Sequence, residues 1–344
     1  MTTVGIIANP ASGKDIRRLV AYGITFDNLE KVNIVRRALL GLAATGVERV
    51  VYMPDYYGIV PKALDGLSVL HQLPLEVEML EMEMSRMQED SQNAAALMNE
   101  MKVDCIITLG GDGTNRMIAK GCGRIPLVPI STGTNNVFPE MVEGTIAGLA
   151  AGVVAKGIVN DFPGVYTSKR LVIYKDGKPV DHALVDAVIL NDTFIGSRAV
   201  WDEDRIHQVM VTRGSPSSIG ISAIAGNLEP IGVNEPKGML IDMGSGDIDI
   251  IVPLAPGLIR PINNCRYRMM GIDEEIEVGY GPCVIALDGE REVEVGAEEK
   301  VSVKLTFDGP RVVKADEALR TAVARGYSKG PEALKNLSWL KEVK

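Results

Sequence analysis

Asp112 stands among glycines in the run Gly110-Gly111-Asp112-Gly113-Thr114-Asn115-Arg116, directly after the apolar stretch Val103-Asp104-Cys105-Ile106-Ile107-Thr108-Leu109. Glycines let a chain turn sharply and let a ligand approach backbone N–H groups, which is what a polyphosphate requires. A carboxylate in such a loop repels phosphate, so its presence points to a metal ion or to proton transfer. A second loop echoes the first: Leu127-Val128-Pro129-Ile130 runs into Ser131-Thr132-Gly133-Thr134-Asn135-Asn136, and Gly-Thr-Asn recurs at 133–135. Two such loops at the ends of neighbouring strands face one crevice, and α/β sheets bind ligands at the carboxyl ends of their strands. A third polar loop, Asn9-Pro10-Ala11-Ser12-Gly13-Lys14-Asp15, follows an apolar strand over 4–8. Backbone N–H groups of the glycine loops, with Lys14 and Arg116, are expected to hold phosphates. A plain turn is the competing reading of each loop taken singly.

Two familiar nucleotide patterns are excluded. A P-loop around Lys14 needs Gly at 8 and Ser or Thr at 15, where the chain has Ala8 and Asp15. A dinucleotide fingerprint around Gly111 needs Gly at 116, where Arg116 stands. His71, His182 and His207 are isolated, which argues against a zinc site or a histidine-based triad. Later in the chain, Asn191-Asp192 ends an apolar run, and Gly214-Ser215-Pro216-Ser217-Ser218-Ile219-Gly220 offers hydroxyls on a kinked backbone. Leu287-Asp288-Gly289-Glu290 reads first as a strand entering an Asp-Gly hairpin. The methionines between 80 and 101 read as core packing and helix surface.

The elements that must position these residues alternate in the first half. Strands are expected at 4–8, 47–53, 75–80 and 103–109, and helices around 28–44 and 144–157. Ser85-Arg86-Met87-Gln88 fits a capping box, followed by Ala94, Leu97, Met98 and Met101 at helical spacing. Nearly uninterrupted apolar strands alternating with helices predict a mostly parallel sheet covered on both faces. From about 165 strands dominate: 170–174 and 180–190 flank the hairpin signal Lys175-Asp176-Gly177-Lys178, with others at 239–243, 248–252, 275–279, 283–287 and 301–307. A helix returns over 316–326. The expected division is an α/β nucleotide-binding domain over 1–160, an all-β sandwich-like domain over 161–305, and a segment 306–344 packing back on the first. The 344 residues suit two domains.

The net charge of −9 argues against nonspecific nucleic-acid binding and against a basic membrane-surface protein. No apolar run approaches about 18 residues, so membrane insertion is not expected. Cys105, Cys122, Cys265 and Cys283 form no C-x-x-C pair and fit free thiols in a reducing compartment. A cytoplasmic homo-oligomer is expected.

In this order the loops resemble the superfamily of NAD kinases, diacylglycerol kinases and sphingosine kinases, whose GGDGT motif Gly110–Thr114 matches. Within it the chain looks most like the ATP-NAD kinase-like AcoX branch, from 9–19, 111–116, 131–136, 214–226 and 287–290. The resemblance implies an interdomain active site using ATP with Mg²⁺, the metal carried by ATP and held through Asp112 or Asp288. It makes Asp112 the base for the acceptor hydroxyl. Asn9, Ser12, Lys14, Gly110, Gly111, Gly113, Thr114, Arg116, Thr132, Gly133, Thr134 and Asn135 become nucleotide and phosphate contacts. Asn191, Asp192, Ser217, Ser218 and Asp288 become substrate contacts, Asn191-Asp192 occupying the place of the family's Asn-Glu pair. Ser217-Ser218-Ile219-Gly220-Ile221 aligns with a Gly-Ser-Thr-Ala-Tyr loop, without its aromatic residue. The implied activity is phosphoryl transfer from ATP to a hydroxyl, with NAD to NADP first. The alternatives are a kinase for a lipid, polyol or acetoin-related alcohol, or a catalytically silent nucleotide-binding regulator.

Overall fold

The computed structural model describes residues 1–13, 22–23, 25–68, 73–191, 205–327 and 329. Lys14, His71 and Asp192 lie outside the described residues. The first part of the chain runs β1 (Thr3–Ala8), α1 (Asn28–Ala44), β2 (Arg49–Tyr52), α2 (Ile59–Ser68), β3 (Glu76–Met79), α3 (Glu89–Glu100), β4 (Cys105–Gly110), α4 (Asp112–Gly121), β5 (Leu127–Ser131), α5 (Gly144–Ala155) and β6 (Val165–Thr167). The strands order as β3-β2-β1-β4-β5 and pair in parallel. Every residue of β4 and β5 is buried, as their unbroken apolar sequences predict for strands covered on both faces. On one face Val35, Leu39 and Leu42 of α1 meet Ala147, Ala150 and Ala151 of α5. On the other, Met98 of α3 and Ile118 of α4 pack on Ile7 and Ile106. The glycines of α5 let α1 approach closely: a Cβ at Gly148 would collide with the Ala38 carbonyl.

The start of α3 differs from its expected capping box. Its N-cap is Gln88, with no side-chain cap bond. Asp90, in the first turn, instead accepts from the Ser85 N–H and hydroxyl and from the Arg86 N–H. A full negative charge near a helix N-terminus is the stronger acceptor there.

The second part comprises β7 (Arg170–Lys175), β8 (Lys178–Ala183), β9 (Asp186–Leu190), β10 (Ile206–Val211), α6 (Ser222–Leu228), β11 (Lys237–Asp242), β12 (Ile248–Ala255), β13 (Leu258–Gly271), β14 (Glu275–Glu277), β15 (Cys283–Leu287), β16 (Glu290–Val295) and β17 (Val301–Thr306). They form a seven-stranded sheet, β12-β13-β11-β10-β9-β15-β16, and a four-stranded sheet, β14-β17-β7-β8. Leu171, Ile173, Val303 and Leu305 of the smaller sheet pack against Ala187, Ile189, Met210 and Ile285 of the larger, so the two make an antiparallel sandwich. The larger sheet's outer face is covered by Ile224 and Ala225 of α6. The stretch 180–190 is two strands in different sheets, β8 and β9, broken where Leu184 and Val185 turn their N–H groups onto Asp288.

The chain then returns to the first sheet. β18 (Arg311–Val313) pairs in parallel with β5 and antiparallel with β6, extending that sheet to seven strands, and α7 (Ala315–Ala324) packs on α5. Among the described residues no helix is long and apolar enough to cross a membrane.

Candidate active site

β4 and β5 are parallel neighbours with Gly110 opposite Ser131, so the two glycine loops leave the sheet side by side. Between them and the β15–β16 turn lies a cavity of about 610 Å³, a common size for a small-molecule site. Asn9, Ser12, Gly111, Asp112, Gly113, Thr114, Thr132, Gly133, Thr134, Asn135 and Asp288 line it; Gly110, the buried last residue of β4, stands just behind. Three loops that are separate in the sequence are one hydrogen-bonded unit. Asn9 Nδ2 donates to Thr114 Oγ1 at 2.9 Å, and the Ser12 and Thr132 hydroxyls share a bond of 2.8 Å. The Asn9 and Ser12 side chains therefore tie loops together, leaving backbone groups and Thr134 to meet a ligand. A Cβ at Gly111 would lie 2.8 Å from Asn136 Oδ1, so a larger residue there would push that side chain aside.

Asp112 is the first residue of α4, at the end where helical N–H groups lack intrahelical partners. Its Oδ1 accepts from Val137 N at 3.1 Å and Phe138 N at 2.8 Å, and Oδ2 shares the Val137 N–H at 3.1 Å. Burial, then the nearby Asp288 carboxylate, push its pKa up to about 7, against the pull of these N–H groups and of Arg213. Asp288 is similarly clamped: Oδ1 accepts from Leu184, Val185 and Asp186 N–H groups at 3.1, 2.8 and 3.2 Å. It sits at φ +52° in the β15–β16 turn, and burial raises its pKa while Arg116 opposes the rise.

Arg116 is not on the cavity wall. It lies one helical turn beyond Asp112, fully buried, with Nη1 3.0 Å from Asp181 Oδ2 and Nη2 2.7 Å from Glu292 Oε1. It joins α4 to β8 and β16. Asn191 is also displaced. It is exposed at the end of β9 opposite the cavity, while Asp186 at the near end lines it. Because β9 runs antiparallel to β15, its first residues meet the Asp288 turn. Ser217 and Ser218 stand outside the lining, the Ser217 hydroxyl bonding Ser215; Ile219, Gly220, Ile221 and Ser222 take the wall.

Several contributors escaped the sequence reading. Ser222 is 1% exposed, lines the cavity, and its hydroxyl has no partner among the described residues. Met53, Tyr56, Met84 and Met87 form an apolar wall, so these last two methionines are neither core nor mere helix surface. Lys31 is fully buried and donates to Asn9 O at 2.7 Å, Ser12 O at 2.8 Å and Asn28 Oδ1 at 3.0 Å. Its signal was available: Lys31 falls on the helical stripe of Val35, Ala38 and Leu42, a charged residue on a buried face.

Known families cover both parts of the chain. Residues 4–158 match the family model of the ATP-NAD kinase N-terminal domain, and residues 169–308 that of the acetoin catabolism protein X C-terminal domain. Among solved structures, yeast NADH kinase complexed with NADH is similar at 12% identity and a TM-score of 0.46, over 96% of this chain and 89% of that one. Acetoin catabolism protein X of Cupriavidus necator is 39% identical over 330 residues, 93% of this chain and 92% of that protein. The chain belongs to the acetoin catabolism protein X family.

Proposed function

We propose that the cavity transfers the terminal phosphoryl group of ATP to a hydroxyl, with NAD as the first acceptor to test. The observation that carries this reading is Asp112: a carboxyl between two glycine loops at a helix N-terminus, with its pKa raised to about 7. A general base poised near neutrality both holds a proton and releases it readily. The match of residues 4–158 to an ATP-NAD kinase domain supports the same reaction class.

In the proposed step the acceptor oxygen forms a bond to the terminal phosphorus as the bond from that phosphorus to the ADP oxygen breaks. The hydroxyl proton passes to Asp112 Oδ2, the oxygen with the weaker backbone engagement. Backbone N–H groups at the start of α4 and in 132–135 orient the donor phosphates, for phosphoryl transfer depends on positioning and charge stabilisation. No cluster of three His, Cys, Asp or Glu suited to a metal occurs among the described residues. That donor set fits a magnesium ion carried by the phosphates and touched by one carboxylate, Asp112 or Asp288, where it would offset phosphate charge.

The wall of Met53, Tyr56, Met84, Met87, Ile219 and Ile221 favours a second reading, in which the acceptor is a more apolar alcohol than NAD. An ADP-release assay across NAD and candidate alcohols, with thermal-shift titration of ATP, separates the two. ADP release with NAD alone supports the first reading and release with another alcohol the second. ATP binding without ADP release for any alcohol would sink both and leave a silent nucleotide-binding regulator.

A further inference from the structure

Among the described residues the lining of the cavity is acidic. Asp90, Asp112, Asp186, Asp288 and Glu290 line it, and among the described lining residues Arg86 is the one cation. Arg116, the arginine of the glycine loop, is spent on Asp181 and Glu292. Arg86 is exposed, and its guanidinium has no ion pair among the described residues.

Its backbone is held in an unusual conformation. Arg86 has φ +63°, a left-handed geometry that a non-glycine residue adopts only at a cost. Asp90 maintains it by accepting from the Arg86 N–H at 2.8 Å and from the Ser85 N–H and hydroxyl at 2.9 and 2.8 Å. Other non-glycine residues with positive φ are mostly Asp or Asn, which tolerate it, and Lys102 closes the end of α3. Arg86 has no such local excuse. Strain kept at a cavity wall by a buried carboxylate is a reason to look for a function.

We infer that Arg86 binds the phosphates of the phosphoryl donor, its guanidinium supplying from the α3 side the positive charge that the glycine loops lack. The assignment rests on the kinase reading above. A guanidinium fork suits two phosphate oxygens at once, and a wall otherwise lined by carboxylates makes that charge count more.

The test measures affinity for MgATP, for inorganic triphosphate and for NAD by calorimetry, and thermal stability, in wild type, Arg86→Gly and Arg86→Lys. Arg86→Gly accepts the left-handed backbone, so its Tm should equal or exceed that of wild type. Its affinity for MgATP and triphosphate should fall about ten- to a hundredfold, with NAD affinity kept, and Arg86→Lys should recover part of the loss. Wild-type-like MgATP affinity in Arg86→Gly would overturn this inference alone. Equal or exclusive loss for NAD would overturn the donor assignment. A wild-type protein that binds neither MgATP nor triphosphate would overturn the kinase reading and this inference with it.

Discussion

Two aspartates face the same cavity with nearly the same bonding and opposite prospects. Asp112 begins α4 and takes backbone N–H groups from the loop after β5; Asp288 sits in the β15–β16 turn and takes three from the β8–β9 turn. Asp112 is half-buried, and one of its oxygens has only a shared N–H bond. Asp288 is 7% exposed, with Arg116 acting on its charge. In each the second oxygen has only a shared N–H bond, so exposure and the Arg116 charge set them apart: the buried, charge-paired carboxylate is the clamp and the half-buried one is available for chemistry.

The contrast breaks most visibly in turnover. Asp112→Asn should keep its fold and lose about 10²- to 10⁴-fold in kcat, read by ADP release beside circular dichroism; unchanged kcat would make the two aspartates equivalent clamps. Replacing the arginine that acts on Asp288 comes next. Arg116→Met leaves Asp181 and Glu292 without their buried partner, and urea denaturation should show a loss of about 3–5 kcal/mol. Asp288→Ala orphans three backbone donors and should cost about 1–3 kcal/mol; a smaller loss than Asp112→Asn shows in the same measurement would reverse the roles.

The last prediction sharpens the comparison through pH. A folded-state pKa near 7 for Asp112, above the usual value near 3.9, means the folded protein holds the proton more tightly than the unfolded chain across that window. Its stabilising share is complete below the lower value and is lost as pH rises through the upper. The Tm of Asp112→Asn should therefore gain on wild type between pH 4 and pH 8, by amounts a scanning calorimeter at several pH values resolves.

What the sequence made legible was what lies close together along it. The two glycine loops, Asp112 and the Asp-Gly hairpin at 288 are contiguous signals, and α1 and β15 fall where periodicity and apolar runs place them. The burial of Arg116 is hidden in the sequence because its partners lie 65 and 176 residues away, and only the packing of β8 and β16 decides which side of α4 they cover. The placing of Asn191 at the end of β9 away from the cavity is hidden because a strand's sequence does not say which of its ends meets a neighbour's turn. β13, 14 residues long, was missed because most of its side chains are exposed and interrupt any apolar run.

Lys31 gives the loop after β1 a sidedness. A phosphate is repelled by carbonyl oxygens and attracted by amide hydrogens, and a loop presents both. By drawing the Asn9 and Ser12 carbonyls inward onto an ammonium with no solvent exposure, the helix behind the loop removes two acceptors from the inner wall of the cavity. The lining is sorted by polarity before any ligand arrives, and a neutral side chain at 31 would return those oxygens to face an incoming anion.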